Sequence, residues 1–211
     1  MKFYFKSKFV LVLVALVLSD VMLANPKVSK YEFWWSFWHP VAAIKVKKVY
    51  KKANAFYNES ELSKELDSYS SGGKLDAFRH VFYMAAFAQK VNGRKLIKLG
   101  KAHEKSNYLQ FKRGNHEEGE LPDSAGSAMD FLNNEIGVRL GIENKSVSLE
   151  ELKNKTIELV KKGEAMIILR NKEGKYINCN NEVIDMELYK GKWNNPKCIC
   201  CFRNAATIEN N

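Results

Sequence analysis

A long, mostly apolar segment from Gly72 to Lys90, GGKLDAFRHVFYMAAFAQK, carries three ionisable side chains near its start. Its length and the absence of proline predict a helix over about residues 75–91. Because apolar residues dominate this helix, it is expected to form part of the core. Asp76, Arg79 and His80 then lie inside the core, where ionisable groups are costly unless they have partners. The segment therefore predicts a helical core that contains a polar cluster.

Helical patterns also dominate the rest of the chain. Further helices are predicted from Pro40 towards Asn58, over about 94–111, from an Asp123 cap to Gly141, and after a Ser148 cap. Near Lys172–Gly174 two β-rich runs flank a turn, which predicts a hairpin. An apolar content of 45% is that of a globular chain and excludes a disordered one. We expect a mainly α fold, a bundle of four to five helices with a small C-terminal β-hairpin appendage.

The start of the chain has the composition of a secretory signal peptide. Three lysines precede a short apolar run at residues 9–18, which is too short to span a bilayer. We expect cleavage after Ala24 and an exported protein, periplasmic or secreted; the alternative is an uncleaved anchor. The predicted divisions are a signal peptide at 1–24, a basic aromatic helical segment and linker at 25–71, and a helical domain with a C-terminal hairpin and cysteine-containing tail at 72–211.

The four cysteines fall late in the chain, at Cys179, Cys198, Cys200 and Cys201. In an oxidising compartment they are disulfide candidates, and four cysteines allow three pairings. Cys179 is expected to pair with one of the later three. Zinc binding by these thiols is disfavoured because the paired C-x-x-C spacing is absent.

The net charge of +10 has a local source. Tryptophans and lysines cluster early in the chain, at Trp34, Trp35, Trp38, Lys45, Lys47, Lys48, Lys51 and Lys52. Aromatic rings beside ammonium groups are typical of segments that bind anionic membranes. The alternative that we favour has the tryptophans packed on the core and the lysines merely solvated. Nucleic acid is an improbable partner for an exported protein.

The polar residues of the central helix have potential partners on the next two helices. Asp76 and His80 are four residues apart and share a face, as do Asp130 and Asn134. If the helices pack side by side, these groups meet in the bundle core, where helical bundles build metal and catalytic sites. The candidate catalytic residues are Asp76, His80, His103, Glu104 and Asp130. The candidate substrate-binding residues are Arg79, Tyr83, Asn107, Asn133 and Asn134.

Two chemistries fit this set of residues. His80, His103 and Asp130 are candidate ligands of a divalent metal such as zinc, which would activate water. Without metal, a histidine oriented by a carboxylate would act as general base while Arg79 holds an anionic group. Both predict hydrolysis of a phosphodiester or a lipid-like ester. The alternative is a non-catalytic envelope module that binds anionic membrane and whose polar cluster is structural.

The motifs DAFRH, AHE and MDFLNNEIG, followed by YKGKW, resemble an uncharacterised bacterial domain family found in exported and toxin-associated proteins. The resemblance extends over about residues 72–193. It implies a mostly helical domain, and the residues that it singles out are Asp76, Arg79, His80, His103, Glu104, Asp130 and Asn134. The family has no established reaction, so the resemblance supplies none.

Overall fold

The computed structural model describes residues 29–114 and 121–201, so the predicted signal peptide lies outside the described residues. The helices in these ranges are α1 (Lys30–Trp38), α2 (Pro40–Ala53), α3 (Glu59–Glu65), α4 (Lys74–Ala88), α5 (Gly93–Lys112), α6 (Ser124–Glu143) and α7 (Leu149–Lys161). Two short strands, β1 (Met166–Ile168) and β2 (Ile199–Cys201), follow them, and 3-10 turns occur at Asn54–Phe56 and Met186–Tyr189. The predicted mainly α fold with a small C-terminal β element is confirmed.

Side-chain caps define where several helices begin. Asp123 Oδ1 accepts a hydrogen bond from Gly126 N at 2.8 Å, and Ser148 Oγ accepts one from Glu151 N at 3.1 Å. Each bond satisfies a backbone donor that the first helical turn leaves without a partner. Ser29 caps α1 in the same way. The caps at Asp123 and Ser148 were readable in the sequence because capping is a local interaction.

The centre of the fold is α4, which packs against α2, α5, α6 and α7. Its Phe78 and Phe82 are fully buried, and the two rings stack with centroids 5.3 Å apart. A helix with neighbours on nearly every side buries apolar residues around its whole circumference, which explains its composition. Polar groups on α4 that face inward therefore need partners within the core.

The backbones of α4 and α6 approach each other very closely at two glycines of α6. A Cβ atom at Gly137 would lie 2.4 Å from the Val81 carbonyl oxygen, and one at Gly141 would lie 2.1 Å from that of Ala85. The two glycines are four residues apart and lie on one face of α6, which lets the helix backbones touch. Asp130 lies seven residues before Gly137, on the same face of α6, so this contact carries its side chain towards α4.

The β element differs in detail from the predicted hairpin. β1 pairs antiparallel with β2, and the segment after the turn forms isolated bridges, between Arg170 and Tyr176 and between Ile177 and Val183. The later stretch is held in place by a Cys179–Cys198 disulfide with an S–S distance of 2.07 Å. The backbone of Cys198 lies between two segments: its carbonyl oxygen accepts a hydrogen bond from Leu169 N at 2.9 Å, and its N–H donates to Ile177 O at 3.0 Å. A cross-link of this kind is characteristic of oxidising compartments.

None of the helices in the described part of the chain is both long enough and apolar enough to cross a bilayer.

Asn133 anchors β1 to α6, and its replacement by alanine is expected to lower the free energy of unfolding by about 2 kcal/mol. Its Nδ2 donates to Met166 O and its Oδ1 accepts from Met166 N, both at 2.9 Å. Asn133 is fully buried, so the truncation leaves two backbone groups without partners. Urea unfolding of Asn133→Ala measures the loss. Asn154→Ala, at an exposed position of α7, should change stability by less than about 0.5 kcal/mol, and equal effects in both variants would contradict the assignment.

Candidate functional site

A cavity of about 270 Å³ lies between α2, α4, α5 and the start of α6. Seven of the residues singled out from the sequence line it: Asp76, Arg79, His80, Tyr83, His103, Asn107 and Asp130. The helices therefore turn most of the predicted polar residues towards one space.

His80 lies between two carboxylates at the bottom of this cavity. Its Nε2 is 3.2 Å from Asp130 Oδ1 and 3.5 Å from Asp76 Oδ1. Three atoms, one imidazole nitrogen of His80 and one oxygen from each of the two carboxylates, all lie within 4.8 Å of one another. His80 and Asp76 come from α4, whereas Asp130 comes from α6, so the cluster depends on the close packing of those two helices.

Asp76 is held rigidly by its surroundings. Its Oδ2 accepts a hydrogen bond from Gly72 N at 2.7 Å, and its Oδ1 accepts one from Arg79 Nη2, also at 2.7 Å. Only 4% of the residue is exposed. A charged donor and a backbone donor together offset much of the cost of burying the carboxylate.

Asn134 orients the imidazole from the other side. Its Oδ1 is 3.2 Å from His80 Nδ1. An amide oxygen only accepts hydrogen bonds, so Nδ1 carries the hydrogen and Nε2 of the neutral ring presents a lone pair to the carboxylates. Burial is the main cause that lowers the pKa of His80 to about 4, although the Asp76 charge opposes it. At neutral pH the site therefore gathers an imidazole lone pair and two carboxylate oxygens.

The buried imidazole predicts a pH-dependent stability. The pKa of His80 falls from 6.5 to about 4 on folding, so between these values the unfolded chain binds more protons and stability rises with pH. In the presence of a chelator, the free energy of unfolding should drop by about 3 kcal/mol as the pH falls through this window. Urea unfolding at a series of pH values measures the slope.

In the same titration, His80→Gln should show a flatter slope, whereas Asn154→Ala, at an exposed position of α7, should keep that of the wild type. An unchanged slope in His80→Gln would contradict the assignment of this pH dependence to His80.

His103 contacts a different carboxylate. Its Nδ1 is 3.0 Å from Oε1 of Glu32 on α1. The other oxygen of Glu32 accepts from Ser29 N at 3.0 Å, so one carboxylate both caps α1 and orients the imidazole. Burial by itself would raise the pKa of Glu32, but the contact with His103 and the bonds from Ser29 outweigh it, and the pKa is lowered. His103, which lines the cavity, and Glu32, which does not, form a second histidine–carboxylate pair.

The remaining predicted residues occupy supporting positions. Asn107 lines the cavity, and its Nδ2 donates to Glu104 Oε2 at 3.1 Å. Tyr83 donates its hydroxyl hydrogen to Asn54 Oδ1 at 2.8 Å. Burial, with the neighbouring tyrosines, raises the pKa of Tyr83 to about 12, so it stays protonated. Among the described residues, Glu104, Asn133 and Asn134 lie behind the cavity wall and not on it.

Sequence reasoning missed several cavity residues. Lys197 lines the cavity, and its ammonium group is 2.6 Å from Asp123 Oδ2 and lies over the ring of Tyr176. Asp123 was noticed only as a helix cap, and Glu32 and Tyr50 were not noticed as site residues. Glu32 is 71 residues from its partner His103 in the sequence, and Lys197 is 74 residues from Asp123. Contacts between residues so far apart leave no local signal in the sequence.

Comparison with known proteins identifies a family but no characterised relative. The model of a domain of unknown function, DUF6973, matches residues 33–164. The matched region includes Asp76, His80, His103 and Asp130 and ends before β1. No curated protein and no solved structure matches the chain. Because the match covers more than half of the sequence, the chain belongs to the DUF6973 family, an uncharacterised family as the motifs had indicated.

Proposed function

We propose that this chain is an exported, metal-dependent hydrolase that cleaves a phosphodiester or a lipid-like ester. Asp76, His80 and Asp130 hold one divalent cation in this proposal. The observation that carries it is the convergence of one imidazole nitrogen and two carboxylate oxygens within 4.8 Å, at the wall of a cavity.

The distances within the cluster suit a small cation. Ligand atoms bound tetrahedrally at 2.0–2.2 Å lie roughly 3.4 Å from one another. The separations from His80 Nε2 to Asp130 Oδ1 and Asp76 Oδ1 are 3.2 and 3.5 Å. Nitrogen and oxygen donors of this kind favour zinc or a similar divalent ion. Three protein ligands would leave a fourth position open to water, as in catalytic zinc sites.

The charges around the cluster also favour a cation. Asp76 and Asp130 contribute two negative charges, and Arg79, bonded to Asp76 at 2.7 Å, contributes one positive charge. The neutral His80 ring adds none. A divalent cation would reverse the sign of the local charge, and the resulting positive site would attract an anionic ester.

His103 is the proposed general base. Because the Glu32 carboxylate only accepts hydrogen bonds, Nδ1 of His103 donates to it and the basic electron pair lies on Nε2. A cation held by Asp76, His80 and Asp130 would acidify a water molecule, and His103 would accept the proton of that water as its oxygen attacks phosphorus or the ester carbon. As the ester bond to the leaving oxygen breaks, that oxygen receives the proton. The carboxylate of Glu32 stabilises the imidazolium in between.

Two further cations support an anionic substrate. Arg79 and Lys197 both line the cavity, the first on α4 and the second just before β2. Guanidinium and ammonium groups beside a reactive centre bind the oxygens of a phosphate or stabilise negative charge as it develops.

Export is part of the proposal for two reasons. The lysines and short apolar run at residues 1–24 have the order of a signal peptide. The Cys179–Cys198 disulfide suits an oxidising compartment.

Metal analysis combined with hydrolysis assays tests the proposal. The purified chain, loaded with zinc or manganese and dialysed, should retain about one metal per chain. It should then hydrolyse at least one member of a panel containing bis-p-nitrophenyl phosphate, p-nitrophenyl butyrate and phosphatidylglycerol. His103→Gln should keep the metal while losing hydrolysis, because His103 is assigned as base and not as ligand. Failure to retain metal would overturn the metal site, and metal without hydrolysis of any substrate would overturn the assigned reaction class.

A further inference from the structure

The first two helices expose large apolar side chains to solvent. Trp34 and Trp38 are 52% and 70% exposed, and Val41 and Ile44 are 66% and 46% exposed. Trp35 differs, because it is buried and its Nε1 donates to a backbone carbonyl of α5 at 2.8 Å. Of the three clustered tryptophans, one belongs to the core and two are available to a partner.

A row of exposed lysines lies on α2, the helix that follows. The spacing of Val41, Ile44, Lys45, Lys48 and Lys52 places all five on one face of α2. All three of these lysines are exposed, and within the described part of the chain they form no ion pair. Residues 33–58 contain no aspartate or glutamate, so the positive charge of this surface is uncompensated locally. The docking face is defined here as Trp34, Trp38, Val41, Ile44, Lys45, Lys48 and Lys52.

The exposed apolar and positively charged side chains of the docking face indicate what kind of partner it binds. Exposed tryptophan and aliphatic side chains gain free energy by entering the boundary between headgroups and acyl chains. Lysines beside them gain from the negative surface of anionic lipids. Two copies of the docking face brought together would oppose their lysines, so charge disfavours a second copy of this chain as occupant.

We infer that the docking face binds the surface of an anionic phospholipid bilayer. Trp34 and Trp38 insert at the headgroup level while Lys45, Lys48 and Lys52 contact lipid phosphates. This is binding to one surface of the bilayer and not a crossing of it. The inference is independent of the proposed hydrolysis, because no residue of the docking face lines the cavity.

Vesicle flotation with the full chain tests the inference. The probes are vesicles of phosphatidylcholine alone and of phosphatidylcholine mixed with phosphatidylglycerol. We expect binding to the mixed vesicles that weakens as salt rises. Replacing Lys45, Lys48 and Lys52 together by alanine should weaken it roughly 100-fold at low salt. The double variant Trp34→Ser, Trp38→Ser should weaken it at least about tenfold.

Matched variants remove the same charge or apolar area elsewhere on the surface. Replacing Lys90, Lys145 and Lys172 by alanine controls for net charge, and Val183→Ser with Leu188→Ser controls for exposed apolar residues. The apolar run at residues 9–18 is present in every variant, so it contributes equally to all of them. Quenching of tryptophan fluorescence by brominated acyl chains, lost in the double tryptophan variant, locates the contact at Trp34 and Trp38.

Several outcomes would overturn the inference. These are equal losses of binding in the control and docking-face variants, no quenching by brominated lipid, or binding indifferent to lipid charge. Tighter binding to a short DNA duplex than to the mixed vesicles would assign the face to nucleic acid. A lipid-free dimer that dissociates in the double tryptophan variant would assign it to self-association.

Discussion

Gly141→Ala is expected to destabilise the protein by about 3 kcal/mol, which corresponds to a fall in Tm of roughly 10 °C for a chain of this size. A Cβ atom at position 141 would lie 2.1 Å from the carbonyl oxygen of Ala85 and 2.8 Å from its Cα. Both are backbone atoms of α4, so no side chain can rotate to make room. The two central helices would have to separate, and the core packed around them would be strained.

Thermal and urea unfolding measure this effect, and Gly126→Ala is the control on the same helix. A Cβ atom at Gly126 would meet only Asp123 Oδ1 at 3.5 Å, an ordinary contact. In that variant the better helix propensity of alanine should leave stability unchanged or slightly raised. Equal behaviour of Gly126→Ala and Gly141→Ala would contradict the close packing of α4 and α6.

Asp130→Asn is expected to lower the bound metal from about one equivalent per chain to less than about a tenth of an equivalent. The rate of hydrolysis should fall at least about 100-fold. The amide has nearly the shape of the carboxylate but no negative charge, so it coordinates a divalent cation much more weakly. In the wild type, Asp130 Oδ1 lies 3.2 Å from His80 Nε2. The oxygen or nitrogen of the asparagine amide would lie at the same place, so the fold should stay intact. Metal content by elemental analysis and rates on the best substrate of the panel measure both losses.

Asp123→Asn is the matched control for the same chemical change. Asp123 also lines the cavity, but its carboxylate caps α6 and pairs with Lys197 at 2.6 Å. Asparagine caps helices about as well as aspartate, so the variant should fold and retain its metal. Loss of metal in Asp123→Asn to the same extent as in Asp130→Asn would show that the effect is not specific to the cluster.

Much of the secondary structure could be predicted because its causes are local. Asp123 and Ser148 each cap the helix that begins at the next residue, and the burial of α4 follows from its own apolar residues. Pro40 was predicted correctly as the start of α2, whereas the bounds of α1 were not predicted, because the aromatic stretch before Pro40 carries no regular period. The pairing of β1 with β2 places Met166 opposite Cys201. These residues are far apart in the sequence, so the local pattern could not predict the pairing.

The candidate site was predicted in part. Spacing put Asp76 beside His80 within α4, and the assumption that the helices pack together added Asp130. The predicted metal ligands included His103, whereas the residues gathered within 4.8 Å are Asp76, His80 and Asp130. His103 contacts Glu32 instead, a residue whose sequence context indicates only a helix cap.

The sequence alone determined which side chains are costly to bury, since charge, polarity and helical spacing are properties of a few neighbouring residues. Those properties required Asp76 and His80 to have partners inside the core. Only the tertiary structure decided which partners they have, because that depends on the close contact of α4 with α6 at Gly137 and Gly141. It also decided that Trp35 is buried while Trp34 and Trp38 are exposed, since burial depends on which helix α1 packs against.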